Sequence, residues 1–174
     1  MDYDQNSIEL ANKQEAEETQ FIFVIDGWGS MAGKQWNEQL ESLRNILVDL
    51  SASPNNHISI VVFDSKAEVY CEDREAAAIN VNAIRFPGAG TSASAAFHQA
   101  NLIMSRYLRQ MNLYFVYISD GQASHPAAEI QEMLRIKTTC TENGETFRYA
   151  SILIGEGEGK RSMELINQEL KGTS

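Results

Sequence analysis

Three features of this 174-residue sequence predict an α/β fold with a mostly parallel central sheet. Continuous apolar runs of strand length recur along the chain, most of them separated by amphipathic helical stripes. Two of the runs end in an aspartate. Strands alternating with helices of ten or more residues require crossover connections, which make neighbouring strands parallel and place helices on both faces. The expected architecture is a Rossmann-like three-layer sandwich with one antiparallel edge strand.

The elements follow in order. Residues 1–19 carry six acids (Asp2, Asp4, Glu9, Glu15, Glu17, Glu18) and one base (Lys13), a net of −5. They lack a sustained apolar stripe, although Ile8, Leu10 and Ala11 suit one short helical contact. The segment reads as an acidic leader or linker, and residues 20–174 as the domain. Phe21–Ile25 is a strand buried on both faces, closed by Asp26. After a Gly-rich loop, Trp36, Leu40, Leu43, Leu47 and Leu50 step by four and three, which gives a helix over about 34–50. Pro54 and its neighbouring Asn residues break it. Ile58–Phe63 and Ala67–Cys71, separated by Asp64-Ser65-Lys66, form a hairpin. A short helical piece over 74–80 leads to Phe86-Pro87-Gly88-Ala89-Gly90-Thr91, and helix resumes over about 92–109. Leu113–Ile118 is the next buried strand, followed by Asp120-Gly121. Pro126 suits the first turn of a helix reaching about Cys140. Phe147–Ile154 is a strand, Gly155–Gly159 a loop, and Ser162–Leu170 the last helix.

Composition excludes several classes. The formal charge is −10, and no basic patch offsets it, so nucleic acid is not an expected partner. Two cysteines, Cys71 and Cys140, cannot form a disulfide framework. No apolar run approaches membrane-spanning length and the start is not that of a signal peptide. A cytoplasmic protein without membrane insertion is expected.

In open α/β sheets, ligands bind beyond the carboxyl ends of the strands. Asp26 and Asp120 fall at such ends, and Ser30 and Thr91 lie in loops on the same side. Two carboxylates and two hydroxyls form an all-oxygen donor set, which a hard cation such as Mg²⁺ prefers. An ion with few protein charges around it stays electrophilic and can accept a carboxylate from another protein.

Asp26-Gly27-Trp28-Gly29-Ser30, Thr91 after Gly88-Ala89-Gly90, and Asp120-Gly121 together resemble the metal-ion-dependent adhesion site of von Willebrand factor A (integrin I-type) domains. The resemblance spans residues 20–171. It implies that Asp26, Ser30 and Thr91 contact Mg²⁺ (or Mn²⁺ or Ca²⁺) directly and that Asp120 acts mainly through water. A partner protein's Glu or Asp then completes the coordination. The surrounding residues Trp28, Gly29, Gly90, Ser92 and His125 are expected to meet the partner. One position departs from the family pattern, because Trp28 stands where the family carries a Ser, and an indole offers no oxygen. Two readings therefore stand. Either a divalent ion mediates protein–protein binding, or the domain is a metal-independent scaffold in which Trp28 blocks or replaces the ion. Asp26 and Asp120 as helix caps, and Thr91 or Ser92 as the cap of its helix, are the structural alternatives.

An enzyme is not expected. Gly88-Ala89-Gly90-Thr91-Ser92-Ala93 fits a dinucleotide fingerprint, but it follows Pro87 rather than a strand, and no acid lies about 20 residues on. Gly155-Glu156-Gly157-Glu158-Gly159-Lys160 has its first Gly misplaced for a phosphate loop, and its two Glu repel phosphate. No Gly-x-Ser-x-Gly elbow occurs, and Cys140 has no evident His partner.

Overall fold

The computed structural model describes residues 17–171. Residues 1–16, most of the expected leader, lie outside the described residues. Five strands form one sheet: β1 (Thr19–Asp26), β2 (Asn56–Phe63), β3 (Ala67–Glu75), β4 (Asn112–Ser119) and β5 (Phe147–Leu153). The helices are α1 (Lys34–Leu50), α2 (Ala93–Tyr107), α3 (Ala127–Glu142) and α4 (Lys160–Lys171). The strand order is β3-β2-β1-β4-β5. All neighbours are parallel except β3, which runs antiparallel to β2 at one edge. The predicted α/β sandwich is therefore the observed one.

Side-chain alternation divides the core in two, because successive residues of a strand point to opposite faces. Ile22 and Val24 of β1 and Phe115 and Tyr117 of β4 pack with Phe97 of α2, Met133 of α3 and Ile166 of α4. Phe23 and Ile25, with Ile58 and Ile60 of β2, pack against Trp36, Leu40 and Leu43 of α1. Trp36 is thus a core residue, tilted against Phe86 with ring centroids 5.1 Å apart.

The hairpin departs from expectation. Strand β3 continues to Glu75 instead of stopping at Cys71; where a helical piece was predicted over 74–80 only Ala76–Ala78 forms a short 3₁₀ turn, and a second follows at Val81–Ala83. Two register shifts against β2 and a left-handed Asp73 (φ 55°) let the polar end of the strand continue along the edge. Asp73 N–H donates to Ser59 Oγ at 3.0 Å, which anchors that irregular backbone.

Strand order fixes where a ligand can sit. The chain leaves β1 toward β2 on one side and leaves β4 toward β5 on the other. The carboxyl ends of adjacent β1 and β4 therefore flank the topological switch point, where the two diverging connections open a crevice. Asp26 and Asp120 occupy those two ends.

Candidate metal and partner site

Three loops meet at the crevice through their backbones. Gly27 N–H donates to Phe63 O at 2.6 Å, Gly88 N–H to Gly27 O at 2.9 Å, and Gly29 N–H to Ala89 O at 3.0 Å. Ser92 N–H reaches Asp64 O at 2.7 Å, so the ends of β1 and β2 and the Thr91 loop form one unit. Gly27 is required for this approach. A Cβ there would lie 2.3 Å from Pro87 Cγ.

Asp26 is fully buried and Asp120 is 3% exposed. Asp26 Oδ1 accepts from Trp28 N–H at 2.9 Å, and Asp26 Oδ2 accepts from Ser119 Oγ at 2.7 Å. Burial nevertheless outweighs these bonds and, with a smaller push from the nearby Asp120 carboxylate, raises the Asp26 pKa to about 6. Asp120 Oδ2 accepts from Ser30 Oγ at 2.7 Å, and its Oδ1 accepts from Gln122 N–H at 3.1 Å. Neither aspartate side chain caps a long helix in these bonds; each closes a short turn with the N–H two residues on.

Thr91 and Ser92 divide two roles that the sequence left open. Ser92 is the cap of α2, its Oγ accepting from Ala95 N–H at 3.2 Å. The Thr91 hydroxyl is buried and makes no hydrogen bond. A buried hydroxyl without a partner costs free energy, which a water or an ion bound at this position would relieve.

The remaining residues named from sequence are placed as follows. Trp28 is half-buried and Gly29 and Gly90 are exposed, all on the two loops that Gly29 N–H joins. His125 lies in the loop after β4, with Nε2 at 2.9 Å from Glu169 Oε1 of α4.

Two residues that sequence reading missed hold the site in shape. Gln39 of α1 is fully buried, accepts from Asp26 N–H at 2.9 Å and donates to Asp26 O at 2.8 Å. Its signal was a polar side chain beside Leu40 and Leu43 on the apolar helix stripe. Ser119 donates to Asp26 and also accepts from Gly121 N–H at 3.0 Å, bridging the two strand ends. Behind Asp120, the Gly155–Gly159 loop packs with no room to spare. A Cβ on Gly159 would lie 1.9 Å from Asp120 O, and one on Gly121 (φ +76°) would lie 2.4 Å from Gly159 O.

The donor chemistry fits a small hard cation in part. Asp26, Ser30, Thr91 and Asp120 offer only oxygens, and the Thr91 hydroxyl lacks a partner. Trp28 contributes only its backbone N–H, already directed at Asp26. Among the described residues, no group of three or more His, Cys, Asp or Glu side chains is arranged to hold a metal ion, so any ion here would depend on hydroxyls and water.

No family model and no curated protein matches the chain in sequence. Solved structures do match in fold. VWA2, the ArnB paralog of Sulfolobus acidocaldarius, superposes with a TM-score of 0.67 at 19% identity, over 90% of this chain and 40% of that one. An aerotolerance-related membrane protein from Bacteroides fragilis gives 0.60 at 14% identity, covering 88% and 89%. A von Willebrand factor type A structure from Catenulispora acidiphila gives 0.57 at 16% identity, covering 88% and 43%. The chain thus spans less than half of two of these three structures. Its fold is that of a von Willebrand factor A domain.

Proposed function

We infer that this chain is a non-catalytic protein-binding module whose partner meets the crevice between β1 and β4 through a divalent cation. The observation that carries this reading is the buried, unpartnered Thr91 hydroxyl beside an all-oxygen loop cluster. Asp26, Ser30 and Thr91 would hold Mg²⁺, and Asp120 would hold it through water. The ion supplies an electrophilic coordination position, which a Glu or Asp carboxylate of the partner would fill. Trp28, Gly29, Gly90 and Ser92 surround that position. A half-buried Trp beside a charged contact is the kind of anchor that dominates small interfaces.

The protein's own residues supply the rest. Gln39 and Ser119 fix the Asp26 backbone and carboxylate, so little reorganisation is needed when a cation arrives. Two further observations support a binding role over catalysis. His57, at the start of β2 and so at the opposite end of the sheet, is engaged by Asp73 at 2.7 Å, and His125 is engaged by Glu169. Burial pushes the Cys140 thiol up to about 11, which leaves it a poor nucleophile.

The 2.7 Å bond from Ser30 to Asp120 favours a second reading, because it closes the loops over one another without an ion. In that reading the module binds its partner with Trp28 and no metal. Mn²⁺ binding followed by electron paramagnetic resonance separates the two. The metal reading expects one site in the wild type, lost in Asp26→Ala. Absence of a site in the wild type that appears in Trp28→Ser would favour the metal-free scaffold.

A further inference from the structure

The two edges of the sheet are built differently. Strand β3 carries Glu68, Glu72, Asp73, Arg74 and Glu75, and its register against β2 shifts twice. Arg106 and Tyr107 of α2 reach over to Glu72 and cover part of that edge. Charges, bulges and a covering helix are the devices that stop an edge strand from pairing with another chain.

Strand β5 has no register shift and a single charge, Arg148, and α4 reaches it only on one face, where Ser151 Oγ donates to Asn167 Oδ1 at 3.0 Å. It ends the sheet on the other side, with no strand beyond it among the described residues. It pairs with β4 in unbroken register over all seven residues, and its sequence Phe-Arg-Tyr-Ala-Ser-Ile-Leu contains one charge and neither Pro nor Gly. The flank beside it is open as well. Register places Arg148, Ala150 and Ile152 on the face that bears Tyr114, Val116 and Ile118 of β4. That face carries the core built on α1 alone among the helices, whereas α2, α3 and α4 pack on the other. Arg148 is exposed, and Ala150, Ile152 and the stacked pair Phe21–Tyr114 are only half-buried.

We propose that β5 is a self-association edge, at which two copies of the chain pair antiparallel about a two-fold axis through Ala150 and join two five-stranded sheets into one. The strand is suited to pairing with itself. With Ala150 opposite Ala150, Arg148 faces Ile152 of the second copy, Phe147 faces Leu153, and Tyr149 faces Ser151. The smallest side chain lies on the axis, where the two copies approach most closely. The two Arg148 side chains stand four residues apart along the strands, about 13 Å, beyond the roughly 8 Å screening length of physiological salt. This is an isologous, closed contact, which ends at two copies. A seven-residue edge covers less than the roughly 800 Å² per partner of a standard interface, so the dimer is weak and concentration-dependent.

Sedimentation equilibrium on the full chain, with Ala150→Lys and Ile152→Glu, tests the proposal. The wild type is expected to shift from monomer to dimer as concentration rises. Ala150→Lys sets two ammonium groups against each other on the axis and weakens the dimer at least tenfold. Ile152→Glu places a carboxylate opposite each Arg148 of the other copy, so it tightens the dimer at low salt and loses that gain at high salt. Circular dichroism melts at low concentration confirm that both variants fold; should Ala150→Lys not fold, Ile152→Glu decides alone. A wild type that stays monomeric up to about 1 mM overturns the proposal. So does a dimer indifferent to Ala150→Lys, one weakened by Ile152→Glu, or an open-ended assembly. Dimerisation seen only after removal of residues 1–16 also overturns it, since the edge would then be occupied within the intact chain.

Discussion

Ser30 Oγ donates to Asp120 Oδ2 at 2.7 Å, which joins two loops 90 residues apart in sequence. This bond does for the ligand-free protein what a shared cation would do in the proposed complex, holding the end of β1 against the end of β4. Ser30→Ala is expected to cost about 1.5–3 kcal/mol in urea unfolding, the worth of a hydrogen bond to a charged acceptor, here the buried Asp120. Mg²⁺ should then stabilise the variant less than the wild type.

Thr91 and Ser92 give opposite expectations despite being neighbours. Thr91→Val removes a buried hydroxyl that has no partner, so in EDTA it should be neutral or stabilising by about 1 kcal/mol, while any response to Mg²⁺ disappears. Ser92→Ala removes the cap of α2 and should cost about 1 kcal/mol with the Mg²⁺ response intact. Urea titrations of both variants, with and without Mg²⁺, check this pair.

Gln39 is the strongest structural dependency of the site. Gln39→Leu leaves the buried N–H and C=O of Asp26 without partners, and should destabilise by about 2–4 kcal/mol. The conservative Gln39→Glu keeps an acceptor for Asp26 N–H but loses the donor to Asp26 O, and should also be strongly destabilising. Chemical denaturation at fixed pH measures both.

Asp26 sets a pH dependence in the metal-free protein. Its pKa is raised by burial from the ordinary 3.8 to about 6, so the folded state holds a proton that the unfolded chain has released. This contribution to stability is fully present below about pH 4 and is lost as pH rises through about 6. A shift of this size corresponds to at most about 3 kcal/mol. Urea unfolding in EDTA at pH 4.5 and 7.5 should show the loss in the wild type. Asp26→Asn should lack that part of the difference.

The glycines separate backbone strain from crowding. Gly144 has φ +76° in open space, so Gly144→Ala should cost only the left-handed penalty of about 1 kcal/mol. Gly159→Ala drives a methyl group into the Asp120 carbonyl and should cost several times more, while weakening any Mg²⁺ response through displaced Asp120. Thermal melts of the two variants with and without Mg²⁺ check this.

Much of this arrangement was legible in the sequence because burial and periodicity are local signals. The stripe from Trp36 to Leu50 marked α1 at its observed bounds, and the apolar runs before Asp26 and Asp120 marked the central strands. Strand β3 was cut short because its apolar run ends at Cys71 and residues 74–80 read as a short helical piece, whereas an exposed edge tolerates the polar residues that continue the strand. Gln39, Ser119 and Glu169 were not legible as partners of Asp26 and His125. Each bond joins elements that only the tertiary fold brings together, and a single buried Gln on a helix stripe carries no spacing that names its partner.

Thermal unfolding in EDTA and in excess Mg²⁺, for the wild type, Asp26→Ala and Trp28→Ser, tests whether a cation binds in the crevice between β1 and β4. A site formed by Asp26, Ser30, Thr91 and Asp120 predicts that Mg²⁺ at about 100 times its dissociation constant raises the wild-type melting temperature by roughly 5–10 °C. Asp26→Ala should abolish the rise, and Trp28→Ser should keep or enlarge it. An unchanged melting temperature in both the wild type and Trp28→Ser would contradict the metal site and leave a partner-binding surface that works without an ion.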